Sequence, residues 1–210
     1  AVHGELQHEP RVADAPDGLR REVHAVVRGV REAVEAVVRV ELRGARDCPS
    51  RNGAQIIMAF KAFGLWKLFD ITREYTPYST ASSLNEARMA FEKLGTKPHT
   101  YAPVYTSTDF PEIARLSSHI TFNSLAQFAR YKDIALNNGV SCGVRINPEF
   151  SDVETDLYNP CAPGSRLGIT REILGTKLPE GIEGLHFHTL CESTSYDLEK
   201  TLEVVEKRFG

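Results

Sequence analysis

The sequence predicts an α/β fold in which short parallel strands alternate with amphipathic helices. From Arg51 onward, apolar runs are separated by helical patterns at intervals of roughly 20–25 residues, the spacing of parallel βαβ units. The 210 residues, 41% hydrophobic and 25% charged, are enough for one sizeable domain. No Gly-x-Gly-x-x-Gly motif follows the first strand, which argues against a dinucleotide-binding sheet. A closed barrel and an open doubly wound sheet remain as alternatives, and the six strands are two fewer than an eight-stranded barrel requires.

Six strands and five helices are predicted along this part of the chain. We expect strands at residues 55–60, 78–82, 100–104, 120–123, 141–147 and 184–188. We expect helices at residues 65–75, 83–94, 110–117, 125–137 and 196–209. The last helix has the clearest pattern, because apolar residues recur at spacings of three and four, at Leu198, Leu202, Val205 and Phe209. Gly210 follows, where a helix commonly ends.

Charge and composition exclude several classes of function. The chain has 25 Lys and Arg against 28 Asp and Glu, a net charge of −3, so neither a nucleic-acid grip nor a polybasic membrane anchor is expected. No stretch approaches the ~18 apolar residues of a membrane span, and the first residues do not form a secretory signal. We therefore expect a cytoplasmic protein. Four widely spaced cysteines predict free thiols rather than disulfides or a zinc pair: Cys48, Cys142, Cys161 and Cys191.

Residues 1–50 differ in composition from the rest of the chain. They contain ten Val and eight Arg but no Lys, Ile, Thr, Asn, Met, Phe, Tyr or Trp. A valine stripe between residues 18 and 42 has the period of an amphipathic helix. Two interpretations remain open: a genuine helix, or a stretch that was translated in a shifted reading frame and belongs to no native fold. We assign no chemistry to this segment.

Parallel α/β folds carry their chemistry at the carboxyl ends of the strands, and Lys61 follows the first strand directly. A lysine that leaves a buried apolar strand loses solvation, which favours a neutral amine able to form a Schiff base. The alternative is a lysine that ends the strand and reaches into solvent. After the second strand, Ser82 and Ser83 are small enough to let a ligand approach, and Ser83 and Glu86 have the spacing of a capping box.

The later strands end on further polar residues. Arg145 lies between Val144 and Ile146, where burying its charge requires an anion or a carboxylate. In the sixth strand, alternation puts His186 and His188 on one face. A metal site that also uses Cys191 and Glu192 is one interpretation. Alternatives are stacking of His188 on a planar ligand and a hydrogen-bonded core position for His186.

A long loop over residues 147–169 joins the fifth and sixth strands and contains four acids. Long ordered loops in compact domains are commonly functional, and these acids could face a cationic ligand. A solvated surface loop is the alternative.

These motifs occur in one order along the chain, and together they resemble the carboxynorspermidine/carboxyspermidine decarboxylases. They are Lys61 with the following alanine, residues 80–86, the Arg-Ile-Asn-Pro-Glu run from Arg145, the loop with Pro-Gly-Ser-Arg-Leu-Gly, and the Leu-His-Phe-His-Thr-Leu-Cys-Glu run from Leu185. The family is one of the pyridoxal-phosphate enzymes with the alanine racemase fold, beside ornithine and diaminopimelate decarboxylases. The resemblance covers about residues 53–210 and none of residues 1–50.

The resemblance implies a partial (β/α)8 TIM barrel of the alanine racemase N-terminal type, with about six of eight strands in residues 51–210. It implies decarboxylation of carboxynorspermidine or carboxyspermidine in polyamine biosynthesis, with pyridoxal 5′-phosphate as cofactor and no metal. Lys61 would bind the cofactor covalently, His188 would stack on its ring, and Arg145, Ser82 and Ser83 would line its pocket. Selection of the polyamine tail by Glu154 or Asp156 is a further hypothesis.

Members of this family are roughly twice as long and form homodimers. We therefore expect this chain to be a fragment that lacks the C-terminal β-domain, leaves two sheet edges unpaired and has little activity alone. Three alternatives stay open: a related ornithine or diaminopimelate decarboxylase or racemase, a non-catalytic pyridoxal-phosphate carrier, and an inert partial product.

Overall fold

Six parallel strands form a single sheet in the computed structural model, which describes residues 54–153, 155–191 and 193–210 and five positions between 28 and 39. Each strand pairs with the next along the chain. Their bounds are Met58–Ala59 (β1), Ser79–Ala81 (β2), His99–Tyr101 (β3), His119–Phe122 (β4), Ser141–Arg145 (β5) and Ile182–His186 (β6). The predicted α/β class with six parallel strands is confirmed.

Helices connect the strands. Their bounds are Phe69–Arg73 (α1), Leu84–Met89 (α2), Phe110–Leu116 (α3), Leu125–Asn137 (α4), Arg171–Leu174 (α5) and Ser195–Phe209 (α6). A 3-10 turn at Trp66–Leu68 precedes α1, another lies at Asp156–Tyr158, and π-helical Ala90–Leu94 continues α2. The sequence predicted α4 with its observed bounds and α6 within one residue, but it missed α5, which is a single turn inside the long loop.

Helix starts follow from local capping. The Ser124 hydroxyl accepts from the Gln127 amide at 3.1 Å and begins α4. At α6, the Asp197 carboxylate accepts from the amide and the hydroxyl of Thr194, at 2.7 and 2.8 Å. Ser83 caps α2 by accepting from the Glu86 amide at 3.2 Å, as its sequence spacing predicts.

One face of the sheet packs against the helices and forms the main core. Ile120, Phe122 and Val144 are fully buried there against α3 and α4. The Phe110 and Tyr131 rings stack with their centroids 4.2 Å apart, which joins the two helices. Close packing of these large side chains supplies most of the hydrophobic stabilisation of β3 to β6.

The other face of the sheet is polar. Alternation along β3 puts His99 and Tyr101 on it, and the strand register aligns them with His119 and Thr121 of β4. In the next two strands, Arg145 is the register partner of His186. The polar side chains of four strands therefore share one surface, with Tyr101 and Arg145 at its carboxyl end.

Several predicted strands were too long at the carboxyl end. The third was predicted over 100–104, but β3 ends at Tyr101 because the Ala102 amide donates to the Tyr105 hydroxyl, at 3.1 Å, and Pro103 has no N–H to donate. The sixth was predicted over 184–188 and lies at Ile182–His186. At β3, a hydrogen bond of the next residue to a side chain therefore decides where the strand ends.

Arg28, Glu32, Glu35, Ala36 and Arg39 are helical. The Arg39 guanidinium forms a bidentate ion pair with the Glu74 carboxylate, just after α1. Helical backbone at these positions agrees with the helix interpretation, whereas the valine stripe lies outside the described residues. The assignment of residues 1–50 as a separate atypical segment stays a prediction. Among the helices that the structure describes, none has the length and apolar character needed to cross a bilayer.

Candidate active site

Lys61 lies in a turn directly after β1. The amides of Ala62 and Phe63 both donate to the Ala59 carbonyl at 3.0 Å, which turns the chain away from the sheet. The Lys61 side chain is exposed, so the predicted loss of solvation is not observed. Lys61 is exposed because, within the described part of the chain, β1 pairs only with β2 and so forms an edge of the sheet.

Arg145, the last residue of β5, is a buried cation with 4% of its surface exposed. Its Nη1 donates to the Tyr101 hydroxyl at 2.5 Å and its Nη2 donates to the His188 carbonyl at 3.1 Å. Among the described residues, its Nε has no hydrogen-bond partner and no carboxylate forms an ion pair with it. A buried guanidinium in this condition favours an anionic partner.

His188 lies between the other two residues that the sequence singled out. Burial lowers the pKa of its imidazole, and the positive charges of Lys61 and Arg145 lower it further. His188 is therefore neutral at neutral pH. Arg145 and His188 are therefore joined directly, since Arg145 Nη2 donates to the His188 carbonyl, whereas Lys61 acts on His188 only through its charge and is not among the residues that line the cavity between them.

The prediction of a hydrogen-bonded core position for His186 was wrong. Its Nε2 is buried without a partner among the described residues, and its ring stacks on Tyr101 with centroids 5.1 Å apart. Burial lowers the pKa of His186 to about 4, and the neighbouring His188 and Arg145 contribute. The ring therefore serves as a neutral, flat support for Tyr101.

A cavity of about 270 Å³ opens at these strand ends. Its walls come from β3, β5, the residues after β6 and the long loop: Tyr101, Arg145, Tyr158, Pro160, Leu167, His188, Leu190 and Cys191. Apolar and aromatic side chains surround one cationic group. This is the usual character of a site that orients a small ligand through a few polar contacts.

Ser82 and Ser83 do not line this cavity. Ser83 caps α2, and the Glu86 carboxylate accepts from the Ser82 amide at 2.6 Å rather than from the Ser83 amide that a regular capping box would use. Both serines are exposed. Their local hydrogen bonds explain their presence, and their role at the cofactor stays a prediction.

The first two acids of the long loop are anchored to α6. Glu149 forms an ion pair with Arg208 at 2.6 Å and Asp152 forms one with Lys200 at 3.3 Å, both on α6. Asp156 has its backbone in the 3-10 turn Asp156–Tyr158, and Glu154 lies outside the described residues. Two of the four loop acids are thus engaged by α6.

The end of the loop docks tightly on β5. Gly168 has φ +86°, and a Cβ there would lie 2.8 Å from the Ile146 carbonyl carbon. Ile169 forms a parallel bridge with Ile146. Only glycine permits this approach, which brings Leu167 to the cavity wall.

Tyr101 and Asn123 are candidate site residues that sequence reasoning missed. The Tyr101 hydroxyl donates to Asn123 Oδ1 at 3.2 Å, and that oxygen also accepts from the Gly168 amide at 3.0 Å. Asn123 Nδ2 donates to the Arg166 carbonyl at 2.9 Å. The available signal was position: Tyr101 ends β3 as Arg145 ends β5, on the same face.

The amino end of the polar face holds a second group of histidines. The His99 and His119 rings stack with centroids 3.8 Å apart beside a cavity of about 180 Å³. Burial lowers the pKa of His99 to about 4, and His119 contributes. Nearby, the Ser141 hydroxyl donates to the Glu183 carboxylate at 2.6 Å.

The residues named for a metal site do not form one in the described structure. No group of three or more His, Cys, Asp and Glu side chains suited to a metal ion occurs among the described residues, and Glu192 lies outside them. Cys142, Cys161 and Cys191 are free thiols, as predicted, whereas Cys48 lies outside the described residues.

Comparison with known proteins identifies the relatives of this chain. No family model matches it. It is 50% identical over 156 residues to carboxyaminopropylagmatine decarboxylase of Synechocystis, covering 74% of this chain and 40% of that protein. It is 42% identical over 160 residues to the carboxynorspermidine/carboxyspermidine decarboxylase of Campylobacter jejuni, covering 76% and 41%. The resemblance to the carboxynorspermidine/carboxyspermidine decarboxylases is confirmed.

Solved structures agree with this relationship. Carboxynorspermidine decarboxylase from Campylobacter jejuni, crystallised with norspermidine, superposes with a TM-score of 0.71 at 37% identity, over 81% of this chain and 44% of that one. Diaminopimelate decarboxylase from Helicobacter pylori, crystallised with L-lysine, gives a TM-score of 0.60 at 17% identity, over 83% and 45%. The second likeness shows the fold alone, and the predicted partial barrel is confirmed.

A further relative is the carboxynorspermidine/carboxyspermidine decarboxylase of Herminiimonas arsenicoxydans, 32% identical over 161 residues, with 76% of this chain and 44% of that protein covered. The chain therefore spans about two fifths of the length of the curated decarboxylases that it matches.

Proposed function

We propose that this chain supplies the lysine-bearing part of a pyridoxal-phosphate-dependent carboxy-lyase that acts on a carboxylated polyamine. The observation that carries the proposal is the buried Arg145, bound to the His188 carbonyl in the wall of a cavity of about 270 Å³ at the carboxyl ends of the strands. Lys61 follows β1 at the same edge of the sheet, and its charge lowers the pKa of His188. Carboxynorspermidine and carboxyspermidine are the expected substrates, with norspermidine and spermidine as products. The named relative at 50% identity makes carboxyaminopropylagmatine a further candidate substrate.

The residues present fit pyridoxal phosphate. Its aldehyde needs an amine, which Lys61 supplies, and its anionic groups need a cation, which the buried guanidinium of Arg145 supplies. When bound, pyridoxal phosphate acts as an electron sink for the pair left by the departing carboxylate. His188 is neutral because burial and two neighbouring cations lower its pKa, so it can lie against a planar ring without adding charge.

The chain's own residues would then divide the work. Lys61 would hold the cofactor and return to it after each turnover. Arg145 would fix an anionic group at the end of β5. Tyr158, Leu167 and Leu190 would exclude water, and removing water from a carboxylate favours its departure as neutral carbon dioxide.

The polyamine tail carries positive charge, and the long loop carries acids. Because Glu149 and Asp152 are paired with α6, we assign recognition of the tail to Glu154 or Asp156. Asp156 belongs to the same 3-10 turn as Tyr158, which lines the cavity. Ser82 and Ser83, which follow β2, are also proposed to contact the cofactor.

Two alternative functions differ from the proposal in the substrate used or in the absence of turnover. A related ornithine or diaminopimelate decarboxylase would use the same cofactor residues with another amino acid, and a non-catalytic carrier would bind the cofactor with no turnover. A cytoplasmic location and a homodimer of the whole protein belong to the same proposal.

The test is to trap the cofactor. The chain is incubated with pyridoxal phosphate, reduced with borohydride, and the labelled peptides are mapped by mass spectrometry. We expect the label on Lys61, its loss in Lys61→Ala, and its retention in Lys67→Ala, a matched exposed lysine. Labelling that is scattered, or that survives in Lys61→Ala, would overturn the assignment.

Substrate class is then tested by carbon dioxide release from carboxynorspermidine, carboxyspermidine, carboxyaminopropylagmatine, diaminopimelate and ornithine, with the Campylobacter jejuni enzyme as a positive control. We expect a carboxylated polyamine to be preferred and Asp156→Asn to raise its KM. Preference for ornithine or diaminopimelate would contradict the substrate assignment, and an unchanged KM in both Asp156→Asn and Glu154→Gln would contradict recognition by these acids.

A further inference from the structure

Tyr101 stands between the buried guanidinium and the long loop. It is the last residue of β3, its ring stacks on His186 at 5.1 Å, and the Arg145 guanidinium carbon lies 5.3 Å from the ring centroid. The ring is thus held between an imidazole and a cation. Its hydroxyl accepts from Arg145 Nη1 and donates to Asn123 Oδ1, which follows β4.

The proton positions in this network follow from donor and acceptor chemistry. A guanidinium has no acceptor, so the Tyr101 hydroxyl must accept from Arg145 Nη1 and donate its single proton to Asn123 Oδ1. Asn123 must then present its oxygen to Tyr101 and to the Gly168 amide, and its NH₂ to the Arg166 carbonyl. One orientation of each group satisfies every contact. The hydrogen bonds thus lead from the Arg145 guanidinium to the Tyr101 hydroxyl, then to the Asn123 amide and the loop backbone.

The nearby Tyr105 shows what a purely structural tyrosine looks like here. Its hydroxyl accepts from the Ala102 amide at 3.1 Å and donates toward the carbonyls of Thr100 and Thr121, at 3.2 and 3.0 Å. All of these partners are backbone groups at the ends of β3 and β4. Tyr105 does not line the cavity, whereas Tyr101 does.

Removing the Tyr101 hydroxyl would free two groups at once. Arg145 would keep only its bond to the His188 carbonyl, since its Nε has no partner among the described residues, and could turn away from the cavity. Asn123 would lose the donor that fixes its oxygen beside Gly168. The cavity wall at Leu167 would loosen along with the cation.

We infer that Tyr101 is a positioning residue that aims Arg145 into the cavity and, through Asn123, couples the guanidinium to the loop segment 166–168. The inference rests on the proposed function for its ligand. It extends that proposal from the residues that would touch the cofactor to the network that holds one of them in place.

The test compares Tyr101→Phe with Tyr105→Phe. In Tyr101→Phe we expect the Kd for pyridoxal phosphate, from absorbance titration, to rise about tenfold, the size of one hydrogen bond to a charged group. We expect amide exchange at Gly168 to speed up by a similar factor. Tyr105→Phe is expected to lower thermal stability more, while leaving the Kd and the exchange at Gly168 within twofold of wild type.

A double substitution tests whether Tyr101 acts through Arg145. In the Arg145→Met background, adding Tyr101→Phe is expected to change the Kd by less than twofold. A persistent tenfold effect would mean that Tyr101 touches the ligand itself and would overturn the positioning role. Unchanged Gly168 exchange in Tyr101→Phe would overturn the coupling without reference to the cofactor, whereas failure of wild-type labelling at Lys61 overturns the proposed function.

Discussion

The two ends of the polar sheet face differ in whether their charged and aromatic side chains have partners among the described residues. At the amino end, His99 stacks on His119, the His119 ring contacts the Ser118 hydroxyl at 3.0 Å, and Ser141 pairs with Glu183. At the carboxyl end, the buried Arg145 has no ion-pair partner among the described side chains, and its Nε has no hydrogen-bond partner there. The polar groups described at the amino end contact one another, whereas the unpaired buried cation at the carboxyl end favours an added anionic group.

The largest expected effect tests how much the carboxyl end depends on close docking of the loop. Gly168→Ala places a Cβ 2.8 Å from the Ile146 backbone at φ +86°. We expect it to lower the free energy of unfolding by about 3 kcal/mol, from strain and overlap together. Urea denaturation measures this.

Gly164→Ala is the control for that substitution. Gly164 has φ +80° with no atom within 4 Å of a built Cβ, so backbone strain alone applies, at about 1 kcal/mol. Equal losses for the two variants would show that close packing on β5 contributes nothing.

The next effect tests whether Arg145 serves a ligand rather than the fold. Arg145→Met removes a buried cation without changing the apolar stem much, and we expect unchanged or slightly higher stability, within about 1 kcal/mol. We also expect cofactor affinity to fall about 30-fold, or ~2 kcal/mol. Thermal melts and absorbance titration measure the two quantities.

Ser141→Ala at the amino end is the matched control. It removes one exposed hydrogen bond to Glu183, which is expected to cost about 0.5 kcal/mol and to leave cofactor affinity unchanged. A stability loss of several kcal/mol in Arg145→Met, with affinity intact, would reverse the comparison between the two ends.

The smallest effect concerns pH and sharpens the comparison at the amino end. The folded-state pKa of His99 is about 4, below its ordinary value of 6.5, because burial disfavours the charged ring. Between these pH values the unfolded chain binds more protons than the folded one, so stability is lost as pH falls from about 6.5 to about 4.

We expect His99→Gln to reduce proton uptake on unfolding near pH 5 by about one proton, as measured from the pH dependence of urea midpoints and m-values. His119→Gln is the comparison variant on the same stack. A pH slope unchanged by His99→Gln would show that the ring is not buried as described.

Much of the fold could be predicted because it depends on local pattern. The apolar runs that became β4 and β5 and the helix Leu125–Asn137 are decided by periodicity and by a serine cap. The end of β3 could not be predicted, because it depends on a hydrogen bond from the Ala102 amide to a side chain three residues later. The turn Arg171–Leu174 is too short for a periodic signal.

The candidate site was predicted for the residues that carry distinctive chemistry. Lys61, Arg145 and His188 were identified from their positions at strand ends and from the resemblance. Tyr101 and Asn123 were missed because an aromatic residue and an amide near strand ends have common structural explanations. Their hydrogen bonds depend on the order of the strands in the sheet, in which β4 lies between β3 and β5.

The sequence alone determined the parallel α/β class and the lysine, arginine and histidine at the strand ends, because these depend on apolar periodicity and on residue type. Tertiary structure alone decided that Lys61 is exposed, that Arg145 is buried without a described carboxylate partner, and that Tyr101 connects it to Asn123 and the loop. Burial and hydrogen-bond pairing are properties of neighbours brought together from distant parts of the chain, and the spacing of residues along the sequence carries no record of them.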